Sequence, residues 1–119
     1  MKKIIYVVED NIDISELIQY LLSDIGFEVV TFGNLTDFRQ MMEANPPDLI
    51  VMDIMLPDGN GQQMCREIKI DTTTQHIPLL LMSAHVNGGA LAKEAFADEF
   101  ITKPFDIDNF TGRIQAYLS

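Results

Sequence analysis

Leu49-Ile50-Val51-Met52-Asp53 is the stretch that decides the fold of this 119-residue chain. Its first four residues are all apolar, and a strand that is apolar on both faces is typical of a parallel sheet with helices on both sides. Asp53 stands where this strand is expected to end, before a loop containing proline and glycine. An Asp in that position can be a solvated turn residue. However, the carboxyl ends of parallel strands form the ligand crevice of α/β sheets, so Asp53 is also placed to meet a ligand.

Composition limits the class of protein. Apolar residues make up 47% and charged residues 22% of the chain, which fits a single globular domain spanning residues 1–119. The net charge is −10 with only eight Lys and Arg, which argues against direct nucleic-acid binding. No apolar run approaches the ~20 residues of a membrane span. With one cysteine, Cys65, and no apolar leader, we expect a cytoplasmic protein, in which Cys65 and the seven methionines fill the core.

Apolar patterning predicts five strands alternating with five helices. Besides residues 49–53, continuous or nearly continuous apolar runs predict strands at residues 4–8, 27–32, 79–82 and 100–102. Apolar residues at helical spacing predict helices around residues 14–25, 35–42, 64–68, 90–96 and 107–118. The alternation indicates right-handed βαβ crossovers, and the expected fold is α/β, a flavodoxin-like (βα)5 doubly wound five-stranded parallel sheet with strand order 2-1-3-4-5.

Helix ends carry recognisable signals in two places. Asn11 or Asp13 can cap the first helix, and Gly26 is expected to end it. The fourth helix is expected to be short and weakly anchored, because Gly88 and Gly89 precede its first good helix former, Ala90.

Polar residues follow four of the predicted strands. They are Glu9 and Asp10, Asp53, Ser83, and Lys103. The first and third strands are neighbours in the expected order, so their carboxylates should lie close together. Two carboxylates ~4 Å apart repel by about 4 kcal/mol at an effective dielectric near 20, so three together need a proton or a cation. Hard oxygen ligands with room for water and phosphate favour Mg²⁺.

This set of groups suits phosphoryl transfer. A divalent cation, the Ser83 hydroxyl and the Lys103 ammonium converging on one carboxylate would stabilise a transferring phosphoryl group. Asp53 is then the nucleophile. Mg²⁺ and Lys103 would offset charge on the equatorial oxygens, while Ser83 donates a hydrogen bond to one of them.

Over essentially its whole length, the sequence resembles bacterial two-component response regulator receiver domains. The resemblance rests on Glu9-Asp10, on Asp53 followed by Pro57 and Gly61, on Ser83-Ala84, and on Lys103-Pro104-Phe105. It implies that Asp53 is the phosphoacceptor and that Asp10 and Asp53 bind Mg²⁺ with the Met55 backbone carbonyl. Glu9 would act mostly through metal-bound water.

The resemblance also implies a switch. Ser83 and Lys103 would contact the phosphoryl group, and the rotamer of Phe100 would report the phosphorylated state. It further suggests a cis peptide bond before Pro104. A histidine kinase, a phosphotransfer protein or a small acyl phosphate would be the donor. The surface around the fourth and fifth helices would control a downstream protein or a fused output domain, so the chain is expected to be a phosphoacceptor rather than an enzyme with its own substrate.

The sequence departs from this family in the switching region. Where many receivers have a glycine that ends the fourth helix, this chain has Phe96, followed by Ala97-Asp98. The interval from Ser83 to Lys103 is also a residue or two short. These departures bear on the shape and mobility of the fourth helix, and hence on the partner surface, whereas the phosphoryl chemistry should survive.

Two other functions compete with this interpretation. A haloacid-dehalogenase-type phosphatase would also form an aspartyl phosphate, but it needs a second acid two residues after the nucleophile, where this chain has Met55. A flavodoxin-like flavin carrier needs a Ser/Thr/Gly-rich phosphate loop after the first strand, where Glu9, Asp10 and Asn11 stand instead.

Individual residues also have plainer interpretations. Glu9 and Asp10 can be acids that the dipole of the first helix stabilises near its N-terminus. Phe100 can be a core aromatic. His76 and His85 have no partner His or Cys at the spacing that metal ligands need.

Overall fold

A computed structural model describes residues 2–85 and 87–119. The strands are β1 (Ile4–Val8), β2 (Glu28–Phe32), β3 (Leu49–Asp53), β4 (Met55–Leu56), β5 (Gly59–Asn60), β6 (Leu79–Ser83) and β7 (Glu99–Thr102). The helices are α1 (Ile12–Asp24), α2 (Leu35–Ala44), α3 (Gly61–Ile70), α4 (Gly88–Glu94) and α5 (Ile107–Leu118). Five strands form one parallel sheet in the order β2-β1-β3-β6-β7, which confirms the predicted doubly wound fold.

The central strand β3 is buried along its whole length because both faces of the sheet are covered. Ile50 and Met52 belong to a core shared with α2, α3 and α4. Leu49 and Val51 belong to a second core, shared with α1 and α5. Among the residues that the structure describes, no helix is both long enough and apolar enough to cross a membrane.

The main addition to the predicted fold is a small hairpin directly after the central strand. Met55 pairs with Asn60 and Leu56 with Gly59, so β4 and β5 form a separate antiparallel sheet where the sequence indicated only a loop. Strands of two residues show no periodicity that a sequence pattern could reveal.

Core assignments of the sulfur-containing residues need one correction. Cys65 is fully buried, and burial raises the pKa of its thiol to about 12. Met41 and Met55 are exposed, however, so the expectation that all methionines fill the core is wrong for these two. Met1 lies outside the described residues.

The first helix has the predicted ends. Asn11, rather than Asp13, is its N-cap and accepts a hydrogen bond from the backbone N–H of Ile14 at 3.0 Å. After the last helical residue, Gly26 adopts a φ of 103°, in the left-handed region that glycine occupies at little cost. The N–H groups of Gly26 and Phe27 then donate back to carbonyls of the last turn, which completes a Schellman motif.

The fourth helix ends in the same motif without a glycine. Phe96 has a φ of 63°, its N–H donates to the Lys93 carbonyl, and the N–H of Ala97 donates to the Ala92 carbonyl. Phe96 is 54% exposed, and the Arg66 guanidinium lies over its ring, with 5.3 Å between Arg66 Cζ and the ring centroid. Phe96 therefore takes the conformation that glycine usually supplies at this position, with a cation–π contact as partial compensation.

The left-handed backbone at this position should be measurable as a stability difference. Phe96→Gly is expected to be about 1 kcal/mol more stable than Phe96→Ala, because only alanine keeps the Cβ that this conformation disfavours. Both variants lose the ring and its contact with Arg66, so their difference isolates the backbone. Urea unfolding measures it, and Gly26→Ala, in the same motif of α1, should show a similar loss relative to wild type. Equal stability of the two Phe96 variants would contradict a left-handed residue 96.

Candidate functional site

The register of the parallel strands brings the predicted site residues to one edge of the sheet. Val8 pairs with Met52, so Glu9 and Asp53, the next residues on each chain segment, lie side by side. On the other side of β3, Asp53 pairs with Met82, and Ser83 follows. Ser83 in turn pairs with Thr102, the residue before Lys103.

Three carboxylates converge at this edge. Glu9, Asp10 and Asp53 each offer an oxygen, and these atoms lie within 4.8 Å of one another. Glu9 is 2% and Asp53 8% exposed, whereas Asp10 is exposed to solvent. Neither His76 nor His85 belongs to this cluster.

The Lys103 ammonium lies between two of the acids. Its Nζ donates to Asp53 Oδ2 at 2.7 Å and forms a second ion pair with Glu9 Oε1. The Lys103 side chain is only 14% exposed. Burial by itself would lower the lysine pKa, but the hydrogen bonds to Asp53 and Glu9 outweigh burial and raise it, so Lys103 stays protonated. The peptide bond between Lys103 and Pro104 is cis, as the resemblance implied.

Glu9 is the most buried of the three acids. Burial raises its pKa, against the opposing hydrogen bonds from Lys103 and from the backbone N–H of Asn11, which lies 3.1 Å from Oε2. The lysine thus stabilises a carboxylate that its surroundings would otherwise tend to protonate.

Ser83 is buried at the end of β6 with its hydroxyl in a tight turn. Its Oγ accepts a hydrogen bond from the backbone N–H of His85 at 2.9 Å, which leaves its own proton free to be donated. Its backbone carbonyl accepts from the N–H of Lys103 at 3.0 Å. The two residues are therefore fixed relative to each other through the backbone.

Phe100 packs against the start of α4. A Cβ added to Gly88 would lie 2.3 Å from the ring, so a side chain at position 88 would collide with Phe100 as it stands. Its backbone carbonyl accepts a hydrogen bond from Arg113 of α5 at 2.9 Å. The contact also explains why α4 begins at Gly88 and not at Ala90 as predicted: Gly88 is there for close packing, which helix propensity does not describe.

The loop after Asp53 is held close to the Asp53 carboxylate. Met55 donates its backbone N–H to Asp53 Oδ1 at 3.3 Å, and the N–H of Gly61 donates to the Ile54 carbonyl at 2.7 Å. A Cβ on Gly61 would come within 2.0 Å of the Asp53 carbonyl oxygen. The sequence showed Gly61 only as part of a motif and gave no sign of this contact.

The donor set at this edge fits a divalent cation. Two buried acids and one exposed acid bring oxygens close enough to share one ion, and carboxylate oxygens are the ligands that hard cations prefer. An adjoining cleft of about 290 Å³ includes Glu9 and Asp10 in its lining. The acidic cluster can therefore hold a metal ion.

The fold and the site together define a class: a doubly wound α/β protein with carboxylates and a lysine gathered at its switch point. The sequence profile of the response regulator receiver domain matches residues 5–115. The alkaline phosphatase synthesis transcriptional regulatory protein PhoP of Bacillus subtilis is 33% identical over 118 residues, which cover 99% of this chain and 49% of PhoP. The chain belongs to the response regulator receiver domain family, and it spans about half the length of the curated relatives it matches.

Solved structures agree with this assignment. The BeF3-activated DrrB receiver domain is 30% identical, has a TM-score of 0.88, and covers 99% of this chain and 98% of its own. The signal receiver domain of a signal transduction histidine kinase from Syntrophus aciditrophicus is 25% identical, with a TM-score of 0.90, covering 98% of this chain and 89% of its own. The comparisons support a receiver domain of a two-component system and neither the phosphatase nor the flavin carrier.

Proposed function

We propose that Asp53 is the phosphoacceptor of this receiver domain and that phosphorylation requires Mg²⁺. The observation that carries the proposal is the ion pair between Lys103 Nζ and Asp53 Oδ2, at 2.7 Å, inside a cluster of three carboxylates. An ammonium in that position can stabilise charge on a phosphoryl group that reaches the same carboxylate.

In the proposed reaction, a carboxylate oxygen of Asp53 forms a bond to phosphorus while the bond between phosphorus and the donor breaks. The leaving group is a histidine nitrogen of a kinase or phosphotransfer protein, or the carboxylate of a small acyl phosphate. Lys103 offsets charge on the equatorial oxygens, and Ser83 donates its free hydroxyl proton to one of them. The protein assists transfer by positioning these groups, so we classify it as a phosphoacceptor that assists its own phosphorylation and dephosphorylation.

Asp10, Asp53 and the Met55 backbone carbonyl would hold the Mg²⁺ ion, with Glu9 acting mostly through metal-bound water. The ion would supply positive charge to neutralise the acids and the phosphoryl oxygens. The tight cluster of Glu9, Asp10 and Asp53 supports this assignment.

Phosphorylation would act as a switch. The phosphoryl group would draw in Ser83 and Lys103, and because Ser83 is bonded to Lys103 through the backbone, β6 and β7 would move together. Phe100 would then change its contact with Gly88 at the start of α4. The changed surface around α4 and α5 would control the partner.

Residues 1–119 would form a single domain, since all five strands of the large sheet belong to this stretch. A histidine kinase or phosphotransfer protein would be the donor, and a downstream protein or a fused output domain the receiver of the signal. Direct nucleic-acid binding by this domain is disfavoured by its charge of −10. Such a domain would work in the cytoplasm, without contact with a membrane.

Mass spectrometry tests the phosphoacceptor directly. Incubation with Mg²⁺ and a small acyl phosphate should add one phosphoryl group, and Asp53→Asn should abolish the gain because an amide is a poor nucleophile for this reaction. Asp71→Asn, a substitution of an exposed acid outside the cluster, should leave it unchanged. A mass gain that persists in Asp53→Asn would refute the assignment.

A further inference from the structure

Asp58 connects the hairpin that follows Asp53 to the beginning of α2. It lies in the turn between β4 and β5, and its carboxylate accepts hydrogen bonds from the backbone N–H groups of Leu35 at 2.8 Å and Thr36 at 2.9 Å. The Thr36 hydroxyl donates a third at 2.6 Å. These bonds, led by the one from Thr36, lower the pKa of Asp58 to about 2, so the carboxylate is ionised throughout the physiological range.

The other corner of the hairpin is held in the same way. Asn60, the last residue of β5, is the N-cap of α3, and its side-chain oxygen accepts from the N–H of Gln62 at 2.7 Å. The hairpin is therefore fastened at one corner to α2 and at the other to α3. Both attachments use backbone N–H groups that a helix N-terminus would otherwise leave without an intrahelical partner.

Met55 is the hairpin residue that matters for the site. It pairs with Asn60 in the two-residue ladder, and its N–H donates to Asp53. A ladder this short has little stability of its own, because a two-stranded hairpin is at best marginal in water. The position of the Met55 backbone must therefore depend on what holds the hairpin from outside.

We propose that Asp58 is a positioning residue that sets the affinity of the site for Mg²⁺ by fixing the Met55 backbone carbonyl. The inference rests on the proposed metal site, in which that carbonyl is a ligand. Asp58 does not touch the acidic cluster through any hydrogen bond among the described residues, and it acts through the hairpin alone.

The test is a calorimetric titration of the unphosphorylated full chain with Mg²⁺. Asp58→Ala should weaken binding by about tenfold, the lower end for groups that orient a metal ligand. Asp58→Asn removes the same charge but keeps one acceptor oxygen, so it should retain most of the affinity. Asp71→Ala is the matched control, because Asp71 caps Thr73 in a surface loop through similar hydrogen bonds, outside the hairpin.

Amide hydrogen exchange gives the second readout. Asp58→Ala should lose protection at Gly61, whose N–H donates to the Ile54 carbonyl across the base of the hairpin, whereas Asp71→Ala should not, even if both variants unfold more easily. Equal losses of Mg²⁺ affinity in Asp58→Asn and Asp58→Ala would assign the effect to charge and overturn the proposal. So would wild-type affinity in Asp58→Ala. Wild-type protein that binds no Mg²⁺ would refute the proposed metal site and this inference with it, whereas an unaffected Asp58→Ala refutes this inference alone.

Discussion

Replacing Gly61 with alanine should destabilise the protein by about 3 kcal/mol, the upper end for overpacking, and should abolish phosphoryl uptake. The new Cβ would lie 2.0 Å from the Asp53 carbonyl oxygen and 3.0 Å from the Ile54 Cα. Both neighbours are backbone atoms and cannot rotate away. Relief of the contact requires a shift of the segment that carries Asp53, the proposed phosphoacceptor.

Gly112→Ala is the matched control for this substitution. Gly112 lies inside α5, and a Cβ there would have no atom within 4 Å outside its own chain neighbours and the helix backbone. Alanine at this position should stabilise the protein by about 0.5 to 1 kcal/mol through its higher helix propensity. Urea unfolding of the two variants measures the contrast. A Gly61→Ala protein as stable as wild type would show that Gly61 does not constrain Asp53.

The second large effect is expected for Lys103→Met. At pH 7.5 this variant should lose about 3 kcal/mol of unfolding free energy, because the buried carboxylate of Glu9 and that of Asp53 lose their shared cation. Methionine keeps most of the apolar stem, so lost packing is a minor contribution. Phosphoryl uptake should also fall, since no ammonium remains to offset charge on the transferring group.

The loss should depend on pH in a defined direction. The pKa of Glu9 is raised above its ordinary 4.5, chiefly by burial, so the folded state holds the proton more tightly than the unfolded state, and stability falls as pH rises through the raised value. Removing Lys103 removes a group that lowers the Glu9 pKa. The pH range over which stability falls therefore extends to higher pH. The Lys103 pKa is itself raised above 10.5, so its own stabilising contribution is fully present below 10.5 and disappears only above that.

Urea unfolding at pH 7.5 and pH 5 tests this expectation. The deficit of Lys103→Met relative to wild type should be smaller at pH 5 than at pH 7.5, because lower pH favours the neutral form of Glu9, whose pKa is raised by burial and is no longer lowered by Lys103. Lys93→Met, a substitution of an exposed lysine on α4, should stay within about 0.5 kcal/mol of wild type at both pH values. A deficit that does not change with pH would show that Glu9 is not the group Lys103 stabilises.

The sheet could be predicted from the sequence because the signal for a strand covered on both faces is local. The three central strands β1, β3 and β6 are short and almost wholly apolar. Their alternation with helices indicated parallel βαβ units, and the strand order was that of the flavodoxin-like arrangement. The proximity of Glu9, Asp53 and Lys103 followed from the same rules, because polar residues that end parallel strands meet at one edge.

The remaining features depend on contacts between distant residues. Asp58 reads as an ordinary turn residue, and its partner Leu35 lies 23 positions away. Gly61 and Gly88 have no room for a side chain, because other residues lie too close to them. No periodicity in the sequence reveals such a contact. Phe96 gives no local sign of a left-handed backbone. The resemblance to receiver domains singled out this position, and the structure shows its conformation.

The packing of the Phe100 ring against Gly88 has a consequence for the stability of α4. The helix that begins at Gly88 has seven residues, well below the ~12–15 at which an isolated helix becomes even marginally stable in water. Packing against neighbouring elements must therefore stabilise α4, and the Phe100 ring packs against its first turn. In the proposed switch, rotation of the Phe100 side chain would remove this support, so a change in one torsion angle would loosen the whole surface that α4 forms.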